Sequence, residues 1–154
     1  MSISPVPPGY HAVTPYLIVS DATKALAWYA ETLGAREVMR LPGPGGKIGH
    51  AEIEIGDSRI MLADEAPEHD AKAPAAFGGS PVTLVLYLPE VDAVFAKVAS
   101  AGATVKAPPE DKFYGDRMGT MVDPFGHTWH IATHIEDVSP EEIQRRLEKM
   151  GAAS

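Results

Sequence analysis

Cysteine is absent from the 154 residues, which excludes a disulfide framework and any chemistry of a Cys pair. Long apolar runs are absent too: no stretch approaches the length that a bilayer-spanning helix needs, so a membrane is not an expected partner. Clusters of Lys and Arg are also missing. With 13 basic against 21 acidic residues the formal charge is −8, and affinity for nucleic acid or anionic lipid comes mainly from clustered basic side chains. Nucleic acid is therefore not an expected partner either. The N-terminal stretch MSISPVPPGYH has no basic region followed by an apolar core, so no secretory signal is legible and the expected location is the cytoplasm. No nucleophile elbow, phosphate-binding glycine loop or dinucleotide fingerprint occurs, which leaves nucleophilic catalysis unsupported.

What is present is a pattern met twice. The length fits one domain or two small fused modules, and 45% hydrophobic residues are enough for a real core. HAVTPYLIVSD reads as an extended run with Val13, Leu17 and Val19 on one parity and Thr14, Tyr16 and Ile18 on the other. Asp21 is placed to cap a helix through Leu33, and Gly34 to end it in the left-handed region. Ala35 to Leu41, Ile48 to Ile55 and Arg59 to Ala63 read as three further strands. In the middle one Ala51, Ile53 and Ile55 share a face, and His50, Glu52 and Glu54 share the other. Residues 64 to 80 have turn and charged composition without periodicity, as in a linker or a mobile flap, with His69 expected in solvent. Then the order restarts. PVTLVLYL reads as a strand, Val91 to Ala101 as a helix, Thr104 to Lys106 as extended, APPED as a loop, and FYGDRMGTMVDPFGHTWHIATHIED as a hairpin turning at Asp123-Pro124-Phe125-Gly126. The spacing of Gly49 to Gly56 recurs between Gly119 and Gly126. Ser139-Pro140-Glu141-Glu142 predicts a capped helix from Pro140 to Met150.

The pattern thus predicts an α+β fold of two tandem βαβββ modules, with a C-terminal helix. Module one spans about residues 11–64, the linker 65–80 and module two about 81–135, together a single domain over 1–138 followed by a tail at 139–154.

The helix ending in Leu-Gly-Ala, the hairpin GHAEIEIGDSRIMLADE and the segment DPFGHTWHIATH resemble the vicinal oxygen chelate superfamily. The spelling YGDR, DPFG and ATHIEDVSPEE is similar to its glyoxalase/bleomycin-resistance, PhnB-like branch. This resemblance implies a mixed sheet curled around a small-molecule cavity between the modules, often completed in a homodimer. It leaves function open, because the superfamily holds isomerases, lyases, dioxygenases, thiol transferases and metal-free sequestering proteins. The superfamily's metal positions fall near Thr14, Met61, Thr83 and His130, and only the last is a good ligand for Zn, Ni, Mn or Fe. The implied cofactor is accordingly none. If a divalent metal is held at all, His130 with His50 and Glu52 is the remaining set.

The expected function is metal-free binding of a small organic ligand, with resistance or sequestration its most concrete form. The expected lining is Tyr16, His50, Glu52, Met61, Tyr87, Tyr114, Arg117 and His130. Two enzymatic alternatives stand beside it. One is a metal-dependent isomerase, lyase or dioxygenase acting on vicinal oxygens. The other is a metal-free acid/base enzyme in which His50 and Glu52 are catalytic, a His beside a same-face carboxylate being a ready base. The bland alternative for His50, Glu52 and Glu54 is an exposed edge strand whose charges discourage aggregation. For Arg117 the alternatives are a clamp on a ligand anion or a pair with an acidic neighbour.

Overall fold

The computed structural model describes residues 2–152. The chain forms two compact units: the chain up to Pro81 together with Phe125–His127, and Val82–Pro124 together with the chain from Thr128 on.

In the first unit β1 (Tyr16–Val19), α1 (Ala22–Leu33), β2 (Arg36–Pro42), β3 (Ile48–Ile55) and β4 (Ser58–Asp64) follow one another. The sheet order is β1-β4-β3-β2, with β1 parallel to β4 and the other pairs antiparallel. Asp21 caps α1 by accepting from the Lys24 amide, and Gly34 at φ 71° ends it, a conformation that needs no Cβ. Ala25, Leu26, Trp28, Tyr29 and Leu33 recur at helical spacing and are buried, as are Ile53, Ile55 and Leu62 on the sheet. Trp28 and Tyr29 stand against Phe125, at 6.4 and 6.0 Å between ring centroids. The same short segment brings His127, whose Nε2 lies 2.9 Å from the Ile18 carbonyl, as its donor.

The second unit repeats the order with β5 (Thr83–Tyr87), α2 (Val91–Ser100), β6 (Thr104–Asp111), β7 (Asp116–Val122) and β8 (Thr128–His134), in the sheet β5-β8-β7-β6. Its buried residues include Val91, Phe95, Val98, Met121, Trp129 and Ile131. The last helix, α3 (Pro140–Ala152), starts on Ser139, whose Oγ accepts from the Glu142 amide. Glu142 pairs with both Arg145 and Arg146, and Arg146 also reaches Glu136 and the Phe113 carbonyl.

Three expectations change. The extended run starting at His11 becomes a strand only at Tyr16, and Val13 is exposed. APPED is not a loop: β6 runs through it with register shifts between Val105 and Glu110. Pro108 and Pro109 are tolerated because β6 is the outer strand, where a missing amide donor breaks no second ladder. The segment 64–80 lacks periodicity yet is built of two short 3-10 turns, Pro67–His69 and Pro74–Phe77, with an Ala66–Ala71 bridge and with Ala73 and Pro74 buried. Proline opens each turn with its φ already set.

Gly119 lets Phe95 of α2 lie directly on the sheet, since a Cβ there would lie 2.6 Å from Phe95 Cζ and 2.9 Å from the Ala107 carbonyl oxygen of β6. Gly119→Ala is expected to lower stability by about 1–3 kcal/mol through overpacking. A fall in the urea midpoint at unchanged m-value reads this out, and an unchanged midpoint contradicts it.

Candidate functional site

Alternation in the first sheet sends Leu17, Val19, Ala51, Ile53 and Leu62 toward α1 and leaves Tyr16, Ile18, His50, Glu52 and Met61 on the opposite face. Register aligns them. Tyr16 lies opposite Met61, and Met61 opposite Glu52, so the four candidates of this unit share one surface. Because β3 is an inner strand, its polar face is not an edge and the charge-guard explanation lapses.

The polar groups on this surface form a continuous chain of hydrogen bonds. Tyr16 Oη lies 2.9 Å from His50 Nδ1, and His50 Nε2 lies 2.8 Å from Glu52 Oε2. The Tyr10 hydroxyl donates to the other oxygen, Glu52 Oε1. A carboxylate only accepts, so Nε2 carries the proton of a neutral His50 and Nδ1 accepts from Tyr16. Donation from Tyr10 and His50 holds the Glu52 carboxyl below its ordinary range. Burial first, then the Glu52 charge, pushes the Tyr16 hydroxyl up, and burial followed by the hydrogen bond to Glu52 does so for Tyr10. Glu54, further along the strand, is engaged by Arg36 and Arg59, and Arg59 stacks over the Tyr10 ring at 5.2 Å.

Beside this chain the first unit contains a cavity of about 580 Å³. Tyr16, Ile18 and Ala63 belong to its lining, with the glycine-rich turn Gly43–Gly49 and the segment from Asp64 to Ala71. A Cβ on Gly43 would lie 3.0 Å from the Gly49 amide nitrogen, so the bare glycines let the two ends of this turn come together. Among the expected lining residues only Tyr16 borders this cavity, which lies within one unit rather than between the modules. His69, expected in solvent, is part of the lining, as is Lys47. Tyr10 and Lys47 were missed by sequence reasoning. Tyr10 reaches Glu52 across 42 residues and leaves no local signal, whereas the Gly-Pro-Gly-Gly-Lys turn had one in its composition.

In the second unit Tyr87, Met118, Thr120 and His130 share the face opposite α2. Tyr87 donates to Asp116 at 2.7 Å, and the buried Asp116 also accepts from His134 Nδ1, whose Nε2 meets Asp137. These two carboxylates raise the His134 pKa. His130 Nδ1 lies 2.8 Å from Thr120 Oγ1, and Tyr114 reaches the Met118 sulfur at 3.8 Å. Arg117 has the other parity: it points to the helix side, where Asp92 and Asp111 take its guanidinium. Of the two alternatives for Arg117, the pair with acidic neighbours is the arrangement seen.

The positions that the superfamily resemblance assigns to a metal carry two hydroxyls, a thioether and one imidazole, a set that does not match the imidazole and carboxylate donors of a divalent site. No group of three or more His, Asp or Glu side chains that could hold a metal ion forms among the described residues.

Two β-α-β-β-β units, each a mixed four-stranded sheet backed by a helix, match the fold that the resemblance implies, and the comparisons agree. The family model described as Glyoxalase/Bleomycin resistance protein/Dioxygenase superfamily matches residues 10–131, and the chain belongs to that superfamily. An uncharacterized protein of Mycobacterium bovis is 39% identical over 143 residues, covering 91% of this chain and 94% of its own. The crystal structure of TioX from Micromonospora sp. ML1 superposes with a TM-score of 0.63 at 24% identity, covering 81% of this chain and 99% of that one. The PhnB protein from Bacillus cereus gives 0.62 at 18%, covering 80% and 99%.

The acidic Glu52 makes a pH prediction. Because the folded carboxyl is more acidic than its ordinary 4.5, the unfolded chain takes up the proton first as pH falls. The stabilisation is complete above that value and is lost as pH drops through the folded pKa. The stability gap between wild type and Glu52→Gln, followed by urea midpoints, is expected to be widest above pH 5 and to close in acid; a gap independent of pH removes the charge assignment.

Proposed function

We propose that the chain binds a small organic ligand in the first-unit cavity without the four-ligand metal site of its superfamily. The observation that carries this reading is the cavity itself, whose 580 Å³ falls within the span of roughly 300–1,000 Å³ common to small-molecule sites. Ile18, Ile48 and Ala63 supply apolar area, while Tyr16, Lys47 and His69 supply orientation. Met61 extends the ligand-facing surface beside Tyr16, and Tyr87, Tyr114 and His130 offer a second such surface in the other unit. Sequestration of a toxic compound is the simplest role such a protein fills. A second reading, metal-free acid/base catalysis by His50 and Glu52, is favoured by the hydrogen-bonded chain that ends on Tyr16 at the cavity wall.

No helix among the described residues is long and apolar enough to cross a membrane. The acidic balance supports a protein that does not engage nucleic acid. The exposed Val82, Val85 and Tyr87 on and beside β5 support a homodimer, and sedimentation velocity giving only the 16.4 kDa species at micromolar concentration removes that part.

The ligand reading is tested by thermal shift across a library of small aromatic and aliphatic compounds. Compounds that raise the Tm of wild type are expected to leave Ala66→Trp unmoved, because the indole fills the cavity that Ala66 lines. The shifts are expected to survive EDTA. Dependence on Zn, Ni, Mn or Fe(II), with near-stoichiometric metal by elemental analysis, replaces this reading with the metal-dependent one.

A further inference from the structure

We propose that Tyr16 is the proton-transferring group of the cavity, taking the proton of an acidic ligand hydroxyl and passing its own to His50. The inference rests on the ligand reading above and adds to it the chemistry of the ligand. Tyr16 lines the cavity, and its hydroxyl already donates to His50 Nδ1, so its oxygen is left to accept. A ligand O–H placed against that oxygen completes a relay.

The step balances without any co-reactant. The ligand O–H bond breaks and its proton goes to Tyr16 Oη, while the Tyr16 O–H bond breaks and its proton goes to His50 Nδ1. The imidazolium that forms is held through Nε2–H by Glu52, which remains a carboxylate under the donation of Tyr10. The ligand is left as an oxyanion that accepts the new Tyr16 O–H, in a cavity whose lining includes Lys47. Tyr16 thereby stays neutral throughout, which suits a hydroxyl that burial and Glu52 make hard to ionise. The other charged groups are Arg59, stacked on Tyr10 and paired with Glu54, and, in the cavity lining with Lys47, the acidic Asp64, Glu65 and Glu68 and the titratable His69. Asp64 accepts two backbone amides at the cavity wall.

The substrate class is therefore a compact, largely apolar molecule with an acidic hydroxyl, of the phenol or enol kind. His50 and Glu52 act through Tyr16 and are positioning residues for it. Tyr16 is the residue that meets the ligand.

The test uses para-nitrophenol and its more acidic chlorinated analogues, whose neutral and ionised forms absorb differently. Wild-type protein is expected to bind them with the ionised form enriched below the free probe's own pKa. Tyr16→Phe is expected to keep the bound state but to lower its ionised-to-neutral ratio about tenfold, equivalent to one pKa unit. His50→Gln is expected to do the same, and Glu52→Gln to weaken the effect. Circular dichroism and Tm show that each variant is folded. An ionised fraction unchanged in both Tyr16→Phe and His50→Gln overturns the relay. So does absence of nitrophenol binding while other compounds bind and are blocked by Ala66→Trp, because the ligand class is then wrong. Nitrophenol binding that Ala66→Trp leaves intact overturns the cavity reading instead, and the relay with it.

Discussion

Asp64 holds the first unit together at the point where its functional wall is made. As the last residue of β4 it accepts from the Ala22 amide with one oxygen and from the Ile48 amide with the other, both at 2.7 Å. One carboxylate therefore fixes the entry to α1, the start of β3 and the far end of the central strand. An anion at a helix N-terminus is favoured by the unpaired amides there and by the helix dipole. The cavity wall follows from this clamp, because the glycine turn ahead of Ile48 and the segment behind Asp64 are its two neighbours in the chain. The second unit solves the same problem without a charge. Thr133 Oγ1, at the matching end of β8, accepts from the Val91 amide and donates to the Leu88 carbonyl. Only the first unit spends a carboxylate there, and the cavity described here lies in that unit.

The two units also answer each other in their polar chains. In one, Tyr16 and Tyr10 flank a His-Glu pair; in the other, Tyr87 meets a buried Asp116 that is shared with His134. The difference lies in which partner faces the tyrosine. Tyr16 meets an imidazole nitrogen, which can accept a proton outright, whereas Tyr87 meets a carboxylate already engaged by a cation-forming ring. The first arrangement is suited to moving a proton and the second to fixing the join between β7, β8 and the chain that leads to α3.

How far the sequence spoke depended on how local the signal was. Ile48–Ile55 alternates strictly, and its two faces were legible because burial of Ala51, Ile53 and Ile55 requires the opposite parity for His50 and Glu52. Asp21 and Gly34 bounded α1 from chemistry within a single turn. Arg117 left two alternatives open because its partner Asp92 lies 25 residues away on α2, beyond the reach of local pattern. Tyr10 was not legible, since nothing near residue 10 announces a carboxylate at residue 52. The prolines of APPED read as a loop because a propensity argument cannot tell an outer strand from an inner one, and only the sheet order settles that.

Those prolines have a consequence for how the protein behaves in concentrated solution. An outer strand normally offers a row of amide hydrogens on which a foreign strand can grow, the first step toward fibrillar deposits. Successive amides of a strand point to opposite sides, so the Pro108-Pro109 pair takes a hydrogen from the open side of β6 as well as from the paired side, and the register shifts around it twist what is left out of line. The second sheet therefore carries a built-in stop against templated growth along that side, and replacing the pair with good strand formers would lengthen the ladder while opening that route to deposition.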